Sequence, residues 1–114
     1  ICYPKLNVKI CSTHSGITVG EDGATHQMLE DISMMRTLPN MKVLSPADDV
    51  ETKWAIEEAY KQKGPVYVRL SRLATPIIYD ENQEFEFGKM IQFGSGTDAT
   101  IFSSRRRASR IIKS

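Results

Sequence analysis

The chain has 114 residues, 40% hydrophobic and 25% charged, with a formal net charge of +1, the composition of an ordinary globular domain with room for one small core. No apolar run approaches the roughly 20 residues that span a bilayer, no opening segment reads as a signal peptide, and Cys2 and Cys11 are too few and too close for a disulfide framework, so free thiols in a reducing cytoplasm are expected. The charge is uneven: residues 103 to 114 hold Arg105, Arg106, Arg107, Arg110 and Lys113 and no acid, and +5 there against +1 overall leaves −4 for residues 1 to 102. Without interleaved aromatics this basic tail does not make a nucleic-acid module, and neither nucleic acid nor membrane is an expected partner.

The first predicted strand is Leu6-Asn7-Val8-Lys9-Ile10, which alternates apolar and polar residues and runs on into Cys11. A glycine-rich stretch follows, and a helix is expected from Thr25 or His26, with Met28, Ile32 and Met35 at i, i+4 and i+7 and Leu29 on the same stripe. Leu38-Pro39-Asn40 ends it. Met41-Lys42-Val43-Leu44 is the second predicted strand. Ser45-Pro46-Ala47-Asp48 then has the chemistry of a helix start, with Ser45 as cap, Pro46 at the first helical position and Asp48 reaching back to free amides. That helix is expected to stop near Lys63, before Gly64-Pro65. It is apolar on two sides, with Val50 and Trp54 opposite Ala55, Ile56, Ala59 and Tyr60, which predicts a second packing partner.

Val66-Tyr67-Val68-Arg69-Leu70 is the third predicted strand, and Ser71-Arg72 ends it. Residues 74 to 86 read as turns. Two short strands are expected at Lys89–Phe93 and Ala99–Phe102 around Gly94-Ser95-Gly96-Thr97-Asp98. Alternating strands and helices with short links predict an α/β fold, a three-layer sandwich with a mostly parallel sheet. Ligands of such sheets sit beyond the carboxyl ends of the strands. Residues following the first and third strands, His14 and Arg72, are therefore expected at one edge although 58 positions separate them.

The candidate site is the segment from Thr13 to Gln27. Both histidines of the chain, His14 and His26, lie in it, with Gly16, Gly20, Gly23 and the Glu21-Asp22 pair between them. Histidine moves protons near neutral pH, and glycine lets a backbone take positive φ and approach a ligand. The histidines lack the i, i+4 spacing of a metal helix, and no further His or Cys completes a donor set. Ser12 and Ser15 lie outside a nucleophile-elbow pattern. A sugar-phosphate site accounts for the residue types better: Asp22 accepts from hydroxyls, His26 shuttles a proton and Arg72 pairs with a phosphate.

Gly20-Glu21-Asp22-Gly23-Ala24-Thr25-His26-Gln27, followed by Glu30-Asp31, Met35-Arg36-Thr37-Leu38-Pro39-Asn40, Ser45-Pro46-Ala47-Asp48 and Leu70-Ser71-Arg72, resembles transketolase in its pyrimidine-binding (middle) domain. The style is that of a fragment of the C-terminal subunit found where transketolase is split into two chains. The resemblance covers about residues 6 to 102. Deoxyxylulose-phosphate synthase has a similar string, whereas the β subunits of 2-oxo-acid dehydrogenases would lack the Gly-Glu-Asp-Gly run.

The resemblance implies a cytoplasmic transferase that moves a two-carbon ketol unit between sugar phosphates, with thiamine diphosphate and Mg2+ (or Ca2+) as cofactors. It implies that His14 and Arg72 contact the substrate phosphate, that Asp22 and His26 lie near the sugar hydroxyls and the reacting carbon, and that His26 is catalytic. It also implies that the glutamate paired with the aminopyrimidine ring, the aromatic clamp on that ring and the metal-diphosphate loop lie outside this sequence. The expected partners are an N-terminal thiamine diphosphate-binding domain or subunit and further copies of the chain. Residues 1–86 are then an incomplete pyrimidine-binding domain. Residues 87–103 are a linker and the first strand of a truncated C-terminal domain, and residues 104–114 are a basic, non-native tail. The chain alone is expected to be inactive; the alternatives are a fragment of deoxyxylulose-phosphate synthase or a non-catalytic, self-associating domain.

Overall fold

The computed structural model describes residues 1–104; the expectation for the basic tail, Ser104 apart, lies outside the described residues. Three parallel strands, β1 (Lys9–Ser12), β2 (Lys42–Leu44) and β3 (Val66–Arg69), form one sheet in the order β1-β3-β2. Two helices, α1 (Asp31–Thr37) and α2 (Asp49–Lys61), complete the expected α/β fold. The last strand is the central one. All four of its residues are buried, which is why it reads as an almost continuous apolar run.

Alternation along β3 assigns the helices to opposite faces. Val66 and Val68 pack against Ala55 and Ala59 of α2, with Leu44, Trp54 and Leu70 closing that core. Tyr67 and Arg69 point the other way, to Asp31 at the head of α1. Successive side chains of a strand face opposite sides, so the sheet lies between α1 and α2. This is the expected three-layer arrangement.

The helix starts differ from the sequence expectation. Only a 3₁₀ turn forms at Ala24–His26, and α1 begins at Asp31. Ser15 pairs as an isolated parallel bridge with Met28, and the Gly16 amide donates to the Met28 carbonyl at 2.9 Å. These contacts hold residues between His26 and Asp31 out of a helix. On α2 the cap is Asp48, not Ser45. Its Oδ1 accepts from the Glu51 amide at 2.9 Å, while Glu51 reaches back to the Ala47 amide at 2.6 Å, a capping box displaced by one residue. The Ser45 hydroxyl is buried without a hydrogen-bond partner among the described residues.

Two lysines finish the other end of α2. Lys9 Nζ donates to the Gln62 and Gly64 carbonyls at 2.7 and 2.9 Å, and Lys42 Nζ to the Lys63 carbonyl at 3.0 Å. Cations there satisfy orphan carbonyls and complement the helix dipole.

Beyond β3 no further strand forms among the described residues, so the expected strands at Lys89–Phe93 and Ala99–Phe102 are absent. An isolated hairpin is marginal in water, and nothing pairs with one here. The segment is held instead by Asp48 Oδ2, which accepts from the Ile78 and Tyr79 amides at 2.8 and 3.0 Å. Rings reinforce it: Phe85 lies 5.4 Å from Trp54 and 5.0 Å edge-on from Tyr79, and Phe93 lies 5.5 Å from Tyr79. The second packing partner foreseen for Trp54 is thus the chain's own following segment. The apolar side chains that α2 leaves exposed are Ile56 and Tyr60. Cys11 is exposed on the edge strand and Cys2 is half-buried; both cysteines are free.

Candidate functional site

With all strands parallel, the loops leaving β1 and β3 emerge at one edge, and the two strands are neighbours. Ser15 fastens the first loop to the end of β3, its hydroxyl donating to the Leu70 carbonyl at 2.8 Å. Val19 plugs the loop into the core at 1% exposure. Between these anchors and α1 the chain turns at Gly20 (φ +85°) and Gly23 (φ +75°), a backbone region that side chains with a Cβ rarely enter. Asp22 stands between the two glycines.

Arg72, three residues past β3, closes the site. Its Nη1 donates to the Val19 carbonyl at 2.8 Å and to Asp22 Oδ2 at 2.5 Å. Two of the expected site residues, 50 positions apart, thus meet as an ion pair. Among the described residues Arg72 Nε and Nη2 donate no hydrogen bond, which leaves the face of the guanidinium suited to an oxyanion with open donors.

The histidines are exposed. The His14 ring shares a hydrogen bond with the Thr13 hydroxyl at 2.9 Å, and the His26 ring one with the Thr25 hydroxyl at 3.0 Å. His14 has φ +63°, a strained conformation for a non-glycine residue of the kind that concentrates at ligand sites. Both histidines lie on the loop that carries Asp22, and neither is hydrogen-bonded to the Asp22–Arg72 pair.

Beneath this edge is a cluster that the sequence reading did not single out. Asp31, 2% exposed, receives Arg69 Nε on Oδ2 at 2.6 Å and Arg69 Nη2 on Oδ1 at 3.1 Å. The Tyr67 hydroxyl donates to the same Oδ2 at 2.9 Å. Burial works against the Asp31 charge, but the hydrogen bonds from Arg69 and Tyr67 and the guanidinium charge outweigh it, and its pKa lies below the usual carboxylate value. Burial, then the bond to Asp31, push the Tyr67 phenol up. A charged residue inside the run Val66-Tyr67-Val68-Arg69-Leu70 was the available signal, since a buried cation requires a buried partner.

The shift at Asp31 sets an acid limb for stability. A folded pKa below the unfolded 3.8 means the ionised form favours the fold, so this stability is present above about pH 4 and lost as pH falls through the folded value. Urea midpoints should therefore drop below about pH 4, and the drop should be shallower in Asp31→Asn.

Among the described residues no group of three or more His, Cys, Asp or Glu side chains could hold a metal ion. No described helix is long and apolar enough to cross a membrane.

The family model of the transketolase pyrimidine-binding domain matches residues 2–77. The chain belongs to the transketolase family. It is 50% identical, over 99% of its length, to a protein of Methanocaldococcus jannaschii named as a transketolase C-terminal section, covering 38% of that protein. It is 38% identical over 91% of its length to a 6-deoxy-6-sulfo-D-fructose transketolase subunit of Clostridium sp. (strain MSTE9), covering 32% of it. Among solved structures it resembles a split-gene transketolase described as an inactive β4 tetramer, with a TM-score of 0.68, 47% identity and coverage of 78% of this chain and 28% of that one. The chain thus spans about a third of the length of these two relatives. Both relatives carry transketolase names, and the synthase reading gains nothing from them.

Proposed function

We propose that this chain supplies the substrate-facing part of a transketolase site that moves a two-carbon ketol unit between sugar phosphates. The observation that carries the reading is the Asp22–Arg72 pair at the carboxyl edge of the sheet, where an acceptor for sugar hydroxyls stands beside a guanidinium with open donors. Arg72 and His14 bind the phosphate, Asp22 orients hydroxyls, and His26 holds and returns a proton at a sugar hydroxyl next to the reacting carbon. The loop glycines let the substrate approach the backbone. In an intact transketolase bearing these residues, His26→Ala should cut ketol transfer about 10²-fold. Unchanged turnover would remove the role assigned to His26.

The family uses thiamine diphosphate, but the residues described here do not fit as its holder: they offer no metal donor set, and no glutamate or aromatic cluster among them is assigned to the pyrimidine ring. The cofactor's grip is therefore assigned to an N-terminal domain or subunit, with residues 1–86 as the pyrimidine-type domain and residues 87–103 leading into a further one. The chain on its own should neither bind thiamine diphosphate tightly nor catalyse transfer, because half a site lacks convergent contacts. It should also self-associate, as expected of exposed apolar side chains such as Tyr3, Leu29 and Tyr60. Titration calorimetry with thiamine diphosphate and Mg2+, run beside light scattering, checks both. A monomer that binds the cofactor tightly would show that this chain is a complete binding unit.

A further inference from the structure

The Asp31–Arg69–Tyr67 cluster has no part in the chemistry above, yet each of its members lies close in sequence to a candidate site residue. Asp31 heads α1, five residues after His26, and Arg69 closes β3, three residues before Arg72. Ser12, paired opposite Arg69 in the sheet, lies two residues before His14. The segments carrying His14, His26 and Arg72 thus converge on one buried carboxylate and its two donors.

Stability alone is a poor account of this arrangement. Desolvating a buried ion pair offsets most of its attraction, and an apolar pair of similar volume often does as well. A bidentate fork supplies geometry instead: two N–H groups on two oxygens of one carboxylate fix distance and angle together, and the Tyr67 hydroxyl removes the remaining freedom of Oδ2. Among the described residues the opposite end of the sheet has no buried ion pair. There Lys9 and Lys42 donate to carbonyls at the end of α2 and to the side-chain oxygens of Asn7 and Gln62.

We propose that Asp31, Arg69 and Tyr67 are positioning residues, which hold the start of α1 and the end of β3 at a fixed separation so that His26 and Arg72 meet the same substrate. The inference rests on the site reading given under Proposed function. A site loosened by about an ångström loses on the order of 10²-fold in rate, so removing one of the three contacts should cost a sizeable part of that.

The test uses an intact transketolase carrying these residues. Tyr67→Phe deletes one hydroxyl and keeps the ring. Arg69→Lys keeps the charge and loses the fork. At a temperature where circular dichroism shows both variants folded, each should lower kcat/KM for ketol transfer by about 10-fold. In an Arg72→Ala background the Tyr67→Phe effect should shrink below about 3-fold, because the group being positioned is gone. Folded variants with unchanged kinetics, or a Tyr67→Phe effect that persists in full beside Arg72→Ala, would overturn the proposal. The two readings fail differently. If Arg72→Ala and His26→Ala alone leave kcat/KM unaltered, the site reading falls and takes this inference with it. If they lower it while Tyr67→Phe and Arg69→Lys do not, only the positioning role falls.

Discussion

Arg69→Leu should destabilise the chain by about 3–5 kcal/mol, because it strands the Asp31 carboxylate in the interior without its counter-charge. Asp31 is 2% exposed and accepts both guanidinium bonds, so water cannot replace Arg69 without opening the gap between α1 and β3. The double variant Asp31→Leu/Arg69→Leu should lie closer to the parent chain than Arg69→Leu does, since it removes both charges together. Urea unfolding of the parent, the single variants and the double variant measures this. A double variant as unstable as the sum of the singles would mean that Asp31 and Arg69 are not coupled, and would overturn the ion-pair account.

The second large effect is expected at Asp48, a carboxylate that joins α2 to the segment after β3. Asp48→Ala removes a helix cap worth about 1 kcal/mol and leaves two amides, those of Ile78 and Tyr79, without their acceptor. At about 1 kcal/mol for each lost bond the total is about 3 kcal/mol. The loss has a location as well as a size. With Ile78 and Tyr79 released, Phe85 should leave Trp54, so the Trp54 emission should move to the red before global unfolding. Hydrogen exchange at the Ile78 and Tyr79 amides should accelerate more than at Val66 and Val68. Equal acceleration at all four would show that Asp48 serves the whole fold and not the segment after β3 in particular.

The sheet was legible because its strands announce themselves twice. Lys9–Ser12 begins inside the alternating run Leu6–Ile10 and ends two residues beyond it, Lys42–Leu44 and Val66–Arg69 lie within the expected strands Met41–Leu44 and Val66–Leu70, and turn or capping residues follow. The parallel order alone set the expectation that His14 and Arg72 share an edge; the ion pair that forms joins Arg72 to Asp22, on the loop that also carries His14. The helix starts were less legible, because Ser45 and Asp48 are both good caps and local chemistry does not choose between them. The choice is tertiary: Asp48 also binds amides 30 and 31 residues away. The methionine stripe from Met28 hid the break before α1 in the same way, since the bridge from Ser15 to Met28 comes from the other end of the loop. The Asp31–Arg69 pair spans 38 residues, and only the lone cation in an apolar strand hinted at it.

The strand order has a consequence for how the chain is made. Neither β1 nor β2 is hydrogen-bonded to the other; each pairs only with β3, which is the last of the three to be synthesised. Until Val66–Arg69 has left the ribosome, residues 9–61 can offer this sheet only short helices and unpaired strand edges. All the pairing is non-local, and loop closure must precede any gain from it. The nascent chain therefore waits with two exposed edges and then closes in one step around its central strand. That interval, rather than the finished fold, is when its unpaired strand edges are most open to aggregation.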